Sequence, residues 1–378
     1  MIALPPLSLY IHIPWCIKKC PYCDFNSHEA KTDLPKQAYI DALVEDLKAD
    51  AHYIQSRPIE TIFIGGGTPS LLEAHYYEQL LNRIRQIVPI VPSAEITMEA
   101  NPGAVEHDQF IAYRAAGITR ISLGVQSFGH DKLKALGRVH DEHEAVQAAH
   151  KVREAGFEAF NIDLMHGLPS QNLAQALHDL EQAAQLKPNH ISWYQLTIEK
   201  NTLFHSRPPK LPQEEDLWSI YAQGKKRLED LGYRQYEISG YSQNNTPCQH
   251  NLNYWRFGDY LGIGCGSHGK ITLPIQNRLL RTTKIKHPKG YLEKKRKIES
   301  TQAIKPEDRA LEYFMNHARL LEPMPMARFE SRTGLNRESI QDKMNIAAEK
   351  GLILNQDHSW QLTEKGVLFI NEFLGCFL

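Results

Sequence analysis

Short runs of β-branched and apolar residues recur through the first half of the chain, at 7–13, 61–64, 95–99, 120–125, 159–165 and 190–198, with amphipathic stretches between them. Ile40, Leu43, Val44, Leu47 and Ala51 fall at i, i+3, i+4, i+7 and i+11, which predicts one apolar helix face between the first two runs. Six strands alternating with helices imply a parallel sheet. Each strand is followed by residues able to bind or react: a cysteine-bearing loop, Gly65-Gly66-Gly67-Thr68-Pro69, Ala100-Asn101-Pro102-Gly103, Gln126-Ser127-Phe128, His166-Gly167-Leu168-Pro169 and Glu199. Barrels of β/α units carry their active sites at those carboxyl ends, and six units instead of eight predict a partial, splayed barrel open to a large substrate.

From about residue 240 the pattern changes to a Gly- and aromatic-rich stretch between Tyr254 and Gly269, followed by a basic segment. Beyond Thr301 the strand–helix alternation does not return. Helical stretches at 308–321, 326–332 and 337–350 precede an expected hairpin, 352–355 with 360–363, and a last helix. That order is the one of a winged helix. The predicted fold is α/β, a partial (β/α)6 barrel with a smaller, mostly helical, winged-helix-like C-terminal domain. The expected boundaries are 1–240 for the barrel, 241–300 for the Gly-rich and basic connector, and 301–378 for the last domain.

A 42% hydrophobic content is enough for a large core, and the formal net charge is −1. That balance hides an asymmetry. Nine Lys or Arg stand between Arg278 and Lys297 against Glu293 alone, a local net of +8. Such a run reads either as a solvated linker or as a docking surface for anionic lipid or an acidic protein. From Thr301 onward nine Lys or Arg face eleven Asp or Glu, whereas a duplex binder needs a basic face, so nucleic acid is not expected as a partner. Six unevenly placed cysteines do not make a disulfide framework and point to a reducing compartment. The first fifteen residues lack a basic n-region, and the run at 7–13 is too short to span a bilayer. The expected location is cytoplasmic, with the basic run suited to the inner face of the membrane.

Cys16, Cys20 and Cys23 have the spacing C-x3-C-x2-C. A short loop with that spacing can give thiolates to three corners of a 4Fe-4S cube and leave the fourth iron open. S-adenosylmethionine (SAM) chelates such an iron through its amino and carboxylate groups, so the spacing points to radical-SAM chemistry. The alternative is a zinc site completed by His28, although structural zinc cysteines more often come as C-x2-C pairs. Consecutive glycines at 65–67 let backbone approach a ligand without a Cβ in the way. Glu99, Gln126, Arg138 and Asp163 lie at or just past strand ends, where carboxylates can accept from ribose hydroxyls and a guanidinium can pair with a carboxylate. Taken singly, each reads more readily as a cap or salt bridge of the barrel rim, and it is their joint position that points to a ligand.

The motifs together carry a resemblance. Tyr10-Ile11-His12-Ile13-Pro14 with the three cysteines, Gly65-Gly66-Gly67-Thr68-Pro69-Ser70, Glu99-Ala100-Asn101-Pro102, Gly124-Val125-Gln126-Ser127-Phe128, Leu136-Gly137-Arg138-Val139-His140 and Asp163 to Pro169 resemble the family of oxygen-independent coproporphyrinogen III dehydrogenase, HemN, and its HemW branch. The similarity runs over nearly the whole chain. It implies that Cys16, Cys20 and Cys23 hold a 4Fe-4S cluster, and that Gly66, Gly67, Thr68, Glu99, Gln126, Arg138 and Asp163 line SAM. Tyr10 matches a tyrosine close to the cluster.

Two departures bear on function. The dehydrogenase motif continues to a fourth cysteine where this chain has Phe25, and only fifteen residues precede Cys16. Both fit the HemW branch, understood as heme chaperones, as does His250-Asn251-Leu252-Asn253-Tyr254, its H-N-x-x-Y motif. His is the commonest protein ligand of heme iron, and on a helix Tyr254 shares the face of His250. Without the resemblance, His250 reads as a packing residue. Cys248, Cys265 and His268 are further candidate ligands. The resemblance implies heme as cargo, a heme donor such as bacterioferritin, and apo-forms of respiratory hemoproteins at the membrane as acceptors. Open barrel edges leave room for a homodimer. The competing expectation is the dehydrogenase itself, which decarboxylates coproporphyrinogen III propionates through a 5′-deoxyadenosyl radical.

Overall fold

The computed structural model describes every residue except 1, 31, 32, 105, 106 and 357. All six predicted runs form strands: β1 (Leu7–Ile13), β2 (Ile59–Gly66), β3 (Ile90–Ala100), β4 (Arg120–Gln126), β5 (Ala159–His166) and β6 (His190–Gln195). They lie side by side in chain order, each parallel to the next. The sixth stops at Gln195, short of the expected 198, and Ile198 packs instead against a small apolar cluster of Leu136, Met165, Leu168, Leu196 and Phe204.

The first strand is covered on both faces as well as paired on both edges, and its alternation decides what each face does. In β1, Leu7, Leu9, Ile11 and Ile13 are fully buried and join Ile40, Leu43, Val44 and Leu47 of helix Lys36–Asp50 in the main core. The intervening Ser8, Tyr10 and His12 point the other way, into the barrel. Neighbours keep this phase because Tyr10 pairs with Phe63, Phe63 with Thr97 and Thr97 with Arg120. Capping boxes at Asp141 and Asn172 start the helices Glu142–Glu154 and Leu173–Gln185.

The sheet does not stop at six strands. Beyond β6 come β7 (Arg234–Gln235) and β8 (Gly240–Ser242), antiparallel. On the other side of β1, β9 (Asp259–Ile263) adds a parallel strand in register Leu7 with Asp259, and β10 (His268–Leu273), β11 (Arg278–Lys284) and β12 (Ile298–Ile304) follow antiparallel. The order across twelve strands is β12-β11-β10-β9-β1-β2-β3-β4-β5-β6-β8-β7. The Gly-rich and basic stretch, expected as a connector, is therefore largely sheet. Its charges concealed this: Lys284 has no exposed surface, and its ammonium reaches Asp46 at 2.5 Å and Asp50 at 2.7 Å on the helix that covers β1. Asp46 also accepts from Tyr291 Oη (2.7 Å) and the Gly264 amide (3.1 Å). Buried Asp259 similarly takes Lys270 at 3.0 Å and Arg57 at 2.9 Å.

The C-terminal unit has helices Arg309–His317, Met326–Thr333 and Gln341–Glu349, and the expected hairpin as Ile353–Asn355 with Ser359–Leu362. Met324–Pro325 adds a third strand. Its core is continuous with Leu252, Phe257, Leu279 and Ile304 of the preceding segment. Among the described residues no helix is long and apolar enough to cross a membrane.

Removing one partner of a buried ion group leaves uncompensated charge, at a cost of about 3–5 kcal/mol. Lys284→Ala, which strands Asp46 and Asp50, is expected to lose that much in urea unfolding, whereas Lys289→Ala, on an exposed pair with Glu293, is expected to stay within about 0.5 kcal/mol. Equal losses would mean that the Lys284 group does not hold the late strands to the barrel.

Candidate functional site

The carboxyl ends of the parallel strands open into two adjoining cavities. The smaller, about 300 Å³, is lined by Cys16, Cys20 and Cys23, by Gly66, Gly67 and Thr68, and by Glu99, Gln126, Arg138 and Asp163. Three loops of the expected chemistry and the ends of β2 to β5 thus converge on one space. All three thiols are free. The loop that carries them is tied by Lys19, whose ammonium donates to the carbonyls of Phe25 (3.1 Å) and Ser27 (3.3 Å), and by the Cys23 amide on Cys20 O (3.1 Å). Burial raises the Cys16 thiol, and a Thr68 hydrogen bond offsets part of this.

The glycines at the end of β2 are demanded by close approach. Gly66 has φ +116°, a conformation side chains rarely adopt, and a Cβ there would enter the His12 ring. At Gly67 it would strike the Trp15 carbonyl. Gly67 and Thr68 donate their amides to Ile13 O and Trp15 O, both at 2.7 Å, which seats the turn on the end of β1.

Three of the partners that hold the polar side chains, Tyr194, Ser122 and Asn161, belong to no motif. Gln126 is buried with φ +71° where the β4–β5 register shifts, and its Oε1 accepts from Tyr194 Oη at 2.8 Å. Asp163 accepts from Ser122 Oγ (2.9 Å) and Asn161 Nδ2 (2.8 Å); burial raises its carboxyl while these bonds pull it down. Arg138 donates to Gly124 O at 2.6 Å and reaches Cys20 Sγ at 3.6 Å, and its buried Nε has no partner among the described residues. Burial opposes its charge, but Tyr22 and Cys20 outweigh that and raise its pKa. Glu99 accepts from the Gly66 amide at 3.1 Å and is pushed up to about 7, by burial first and by Asp163 second.

These features fit a 4Fe-4S cluster with SAM. Three unpaired thiols share a wall with a cradle that any Cβ would fill and with a guanidinium whose Nε lacks an acceptor. Among the described residues no group of three or more His, Cys, Asp or Glu converges tightly enough for a single metal ion.

The larger cavity, about 720 Å³, shares Cys23, Phe25, Ser27, Gly66 and Glu99 with the first. Tyr10, Tyr254 and Tyr260 line it together with His12, His28 and His268. Phe25 is 62% exposed. His12 donates from Nε2 to Asn26 O (2.9 Å), so its Nδ1 accepts from Tyr10 Oη (2.9 Å); burial lowers it to about 4. His250 and Tyr254 do lie on one helix, Gln249–Trp255, with rings 4.7 Å apart, but only Tyr254 lines the cavity. His250 is 1% exposed and sits behind Tyr254, against Phe63 at 5.3 Å, with Nδ1 on Thr61 Oγ1 (2.8 Å) and Nε2 unpartnered. Burial lowers it to about 3. Cys248 and Cys265 line neither cavity. Burial pushes both thiols up to about 12.

Residues 10–183 match the Radical SAM superfamily, and residues 304–369 match the HemN C-terminal domain. The chain is 53% identical over the full length of both proteins to the heme chaperone HemW of Escherichia coli. It is 33% identical to that of Bacillus subtilis, over 98% of this chain and 99% of the relative. Among solved structures, coproporphyrinogen III oxidase HemN from Escherichia coli superposes with a TM-score of 0.84 at 24% identity, covering 99% of this chain and 90% of that one; at that identity it bears on the fold.

The raised Glu99 carboxyl has a consequence for stability. Its neutral form is the one the fold favours, so the stability it contributes is complete below its ordinary value of 4.5 and is lost as pH climbs through about 7. Urea unfolding of the protein without cluster, between about pH 5 and 8, is expected to show this loss in wild type and not in Glu99→Gln. Parallel pH profiles would exclude Glu99 as its source.

Proposed function

The chain belongs to the HemW family of heme chaperones within the radical SAM superfamily, and on that premise we propose that it carries heme as cargo in the larger cavity, beside a 4Fe-4S cluster and SAM in the smaller one. The observation that carries this reading is the pair of cavities with a common wall. One has the thiols and polar groups suited to a cluster and SAM. The other has the volume and aromatic lining suited to a flat apolar macrocycle, within the usual range of ligand sites.

Cys16, Cys20 and Cys23 are the cluster ligands in this reading. Gly66, Gly67 and Thr68 offer backbone to the SAM amino group, Arg138 pairs its carboxylate, and Glu99 and Asp163 accept from its hydroxyls, with Gln126 at the same wall and Tyr10 bordering both ligands. When bound, the cluster and SAM supply one-electron chemistry at an open iron. The chain's own part is to orient SAM and to shield the site with Tyr22, Tyr194 and Phe25. Tyr254 contacts heme, and His250 supports it from behind with a neutral imidazole.

Delivery to apo-hemoproteins at a membrane surface calls for a docking face. Of the basic run, Lys284 and Lys297 are buried and Arg281 half-buried, while Arg278, Lys286, Lys289, Lys294, Lys295 and Arg296 remain exposed. Lys289, Lys294, Lys295 and Arg296 form the proposed face, and their attraction to anionic lipid falls with salt.

Cluster-reconstituted protein titrated anaerobically with heme is expected to develop a stoichiometric Soret band. The same sample given coproporphyrinogen III, SAM and a reductant is expected to form no protoporphyrinogen. Decarboxylation without heme binding would make it a dehydrogenase instead. Reversing the charges of Lys289, Lys294, Lys295 and Arg296 is expected to abolish sedimentation with vesicles containing phosphatidylserine. Unchanged sedimentation removes this face.

A further inference from the structure

The larger cavity has three imidazoles on its wall, and their surroundings differ in a way that bears on iron. Both nitrogens of His12 are engaged, by Tyr10 Oη and Asn26 O. His28 lies edge-on to His287, with ring centroids 5.8 Å apart, and its Nε2, unpartnered among the described residues, is buried. His268 is exposed, makes no side-chain hydrogen bond among the described residues and opens β10, where ladder pairing with Thr283 fixes its backbone. His250 offers an unpartnered Nε2, but Tyr254 stands between it and the cavity, and Tyr254 is itself held edge-on by Tyr260 at 4.3 Å.

The same wall carries charge. Lys200 and Lys286 line the cavity, both are exposed, and neither ammonium has a hydrogen-bond or ion-pair partner among the described residues. Lys19, by contrast, is occupied by the carbonyls of its own loop. Asp24 and Glu99 are the carboxylates of this wall, and Glu99 also belongs to the smaller cavity. A ligand that suits this lining has a flat apolar body for Tyr10, Phe25, Tyr254 and Tyr260, a metal for a free imidazole, and negative groups at its edge for two free ammonium groups.

We propose that His268 is the side chain that would ligate heme iron in this cavity, and that Lys200 and Lys286 would receive the two heme propionates. This rests on the reading of the cavity as a heme site and assigns its contacts. A neutral imidazole nitrogen donates its lone pair to iron without any redox change or group transfer. His250 then acts as a positioning residue, through Tyr254.

The experiment is a heme titration of cluster-reconstituted wild type, His268→Ala, His250→Ala and Lys200→Ala/Lys286→Ala, read by the Soret band and by electron paramagnetic resonance, with heme and with heme dimethyl ester. His268→Ala is expected to weaken heme by tenfold or more and to lose the imidazole-ligated spectrum, which free imidazole restores. The double lysine variant is expected to keep that spectrum and to bind heme no better than the ester, whereas wild type prefers heme. An unchanged spectrum and affinity in His268→Ala, with loss only in His250→Ala, overturns the ligand assignment and leaves the heme site standing. An equal preference for heme over ester in wild type and the double variant overturns the propionate assignment. Absence of heme binding by wild type removes the underlying reading itself. Circular dichroism of each variant separates these results from unfolding.

Discussion

The β1 strand lies between two parallel partners and is covered on both faces, and it meets that constraint by dividing its residues by parity. Leu7, Leu9, Ile11 and Ile13 close the core against the helices. Ser8, Tyr10 and His12 are then obliged to face the barrel, where a polar side chain persists only if it is hydrogen-bonded. Ser8 bonds to Thr61, Tyr10 to His12, and His12 to Asn26 in the cysteine loop. A slip of one residue would send the aliphatic set into the cavities and the polar set into the core. Core packing and site geometry therefore share a single register, and the loops at the strand ends inherit their alignment from it.

The late strands attach to this frame by charge as much as by apolar area. Asp46 and Asp50 lie on a helix face otherwise built for packing, and Asp259 opens a strand buried on both sides. Each would be prohibitive alone and is tolerated because a lysine reaches it from a neighbouring strand. The pairs select one partner for β9 to β12 where hydrophobic alternation is weak. The consequence for the site is direct. The turn between β9 and β10 contributes Gly266, Ser267 and His268 to the larger cavity, and the Asp46–Gly264 and Tyr291–Gly264 bonds fix the start of that turn.

Much of this was legible in the residues. Six apolar runs and the segments following them predicted six parallel strands with their chemistry at one end. The cysteine spacing, with Glu99, Gln126, Arg138 and Asp163, predicted a set of side chains that do share one cavity. The rest was hidden for physical reasons. Lys284 and Arg281 look like solvated charge in a linear reading, since their carboxylate partners, Asp46 and Glu312, are far away in sequence. Tyr194 and Ser122, which hold Gln126 and Asp163, carry no motif, although their inward parity on β6 and β4 was a usable signal. A helical spacing correctly joined His250 to Tyr254. It could not say which of the two stood in front, because that depends on Phe63 and Tyr260 from other strands.

Phe25 and Cys23 belong to both cavities, and so do Ser27, Gly66 and Glu99. Two ligands resting on one partition are thermodynamically linked: if filling the smaller space turns the Phe25 ring or shifts the cysteine loop, affinity in the larger space changes by some factor, and occupancy of the larger space must change affinity in the smaller by the same factor. On the proposed reading such a partition would work as a two-way gauge. Loading and release of one guest can be governed by the presence of the other without that guest being consumed.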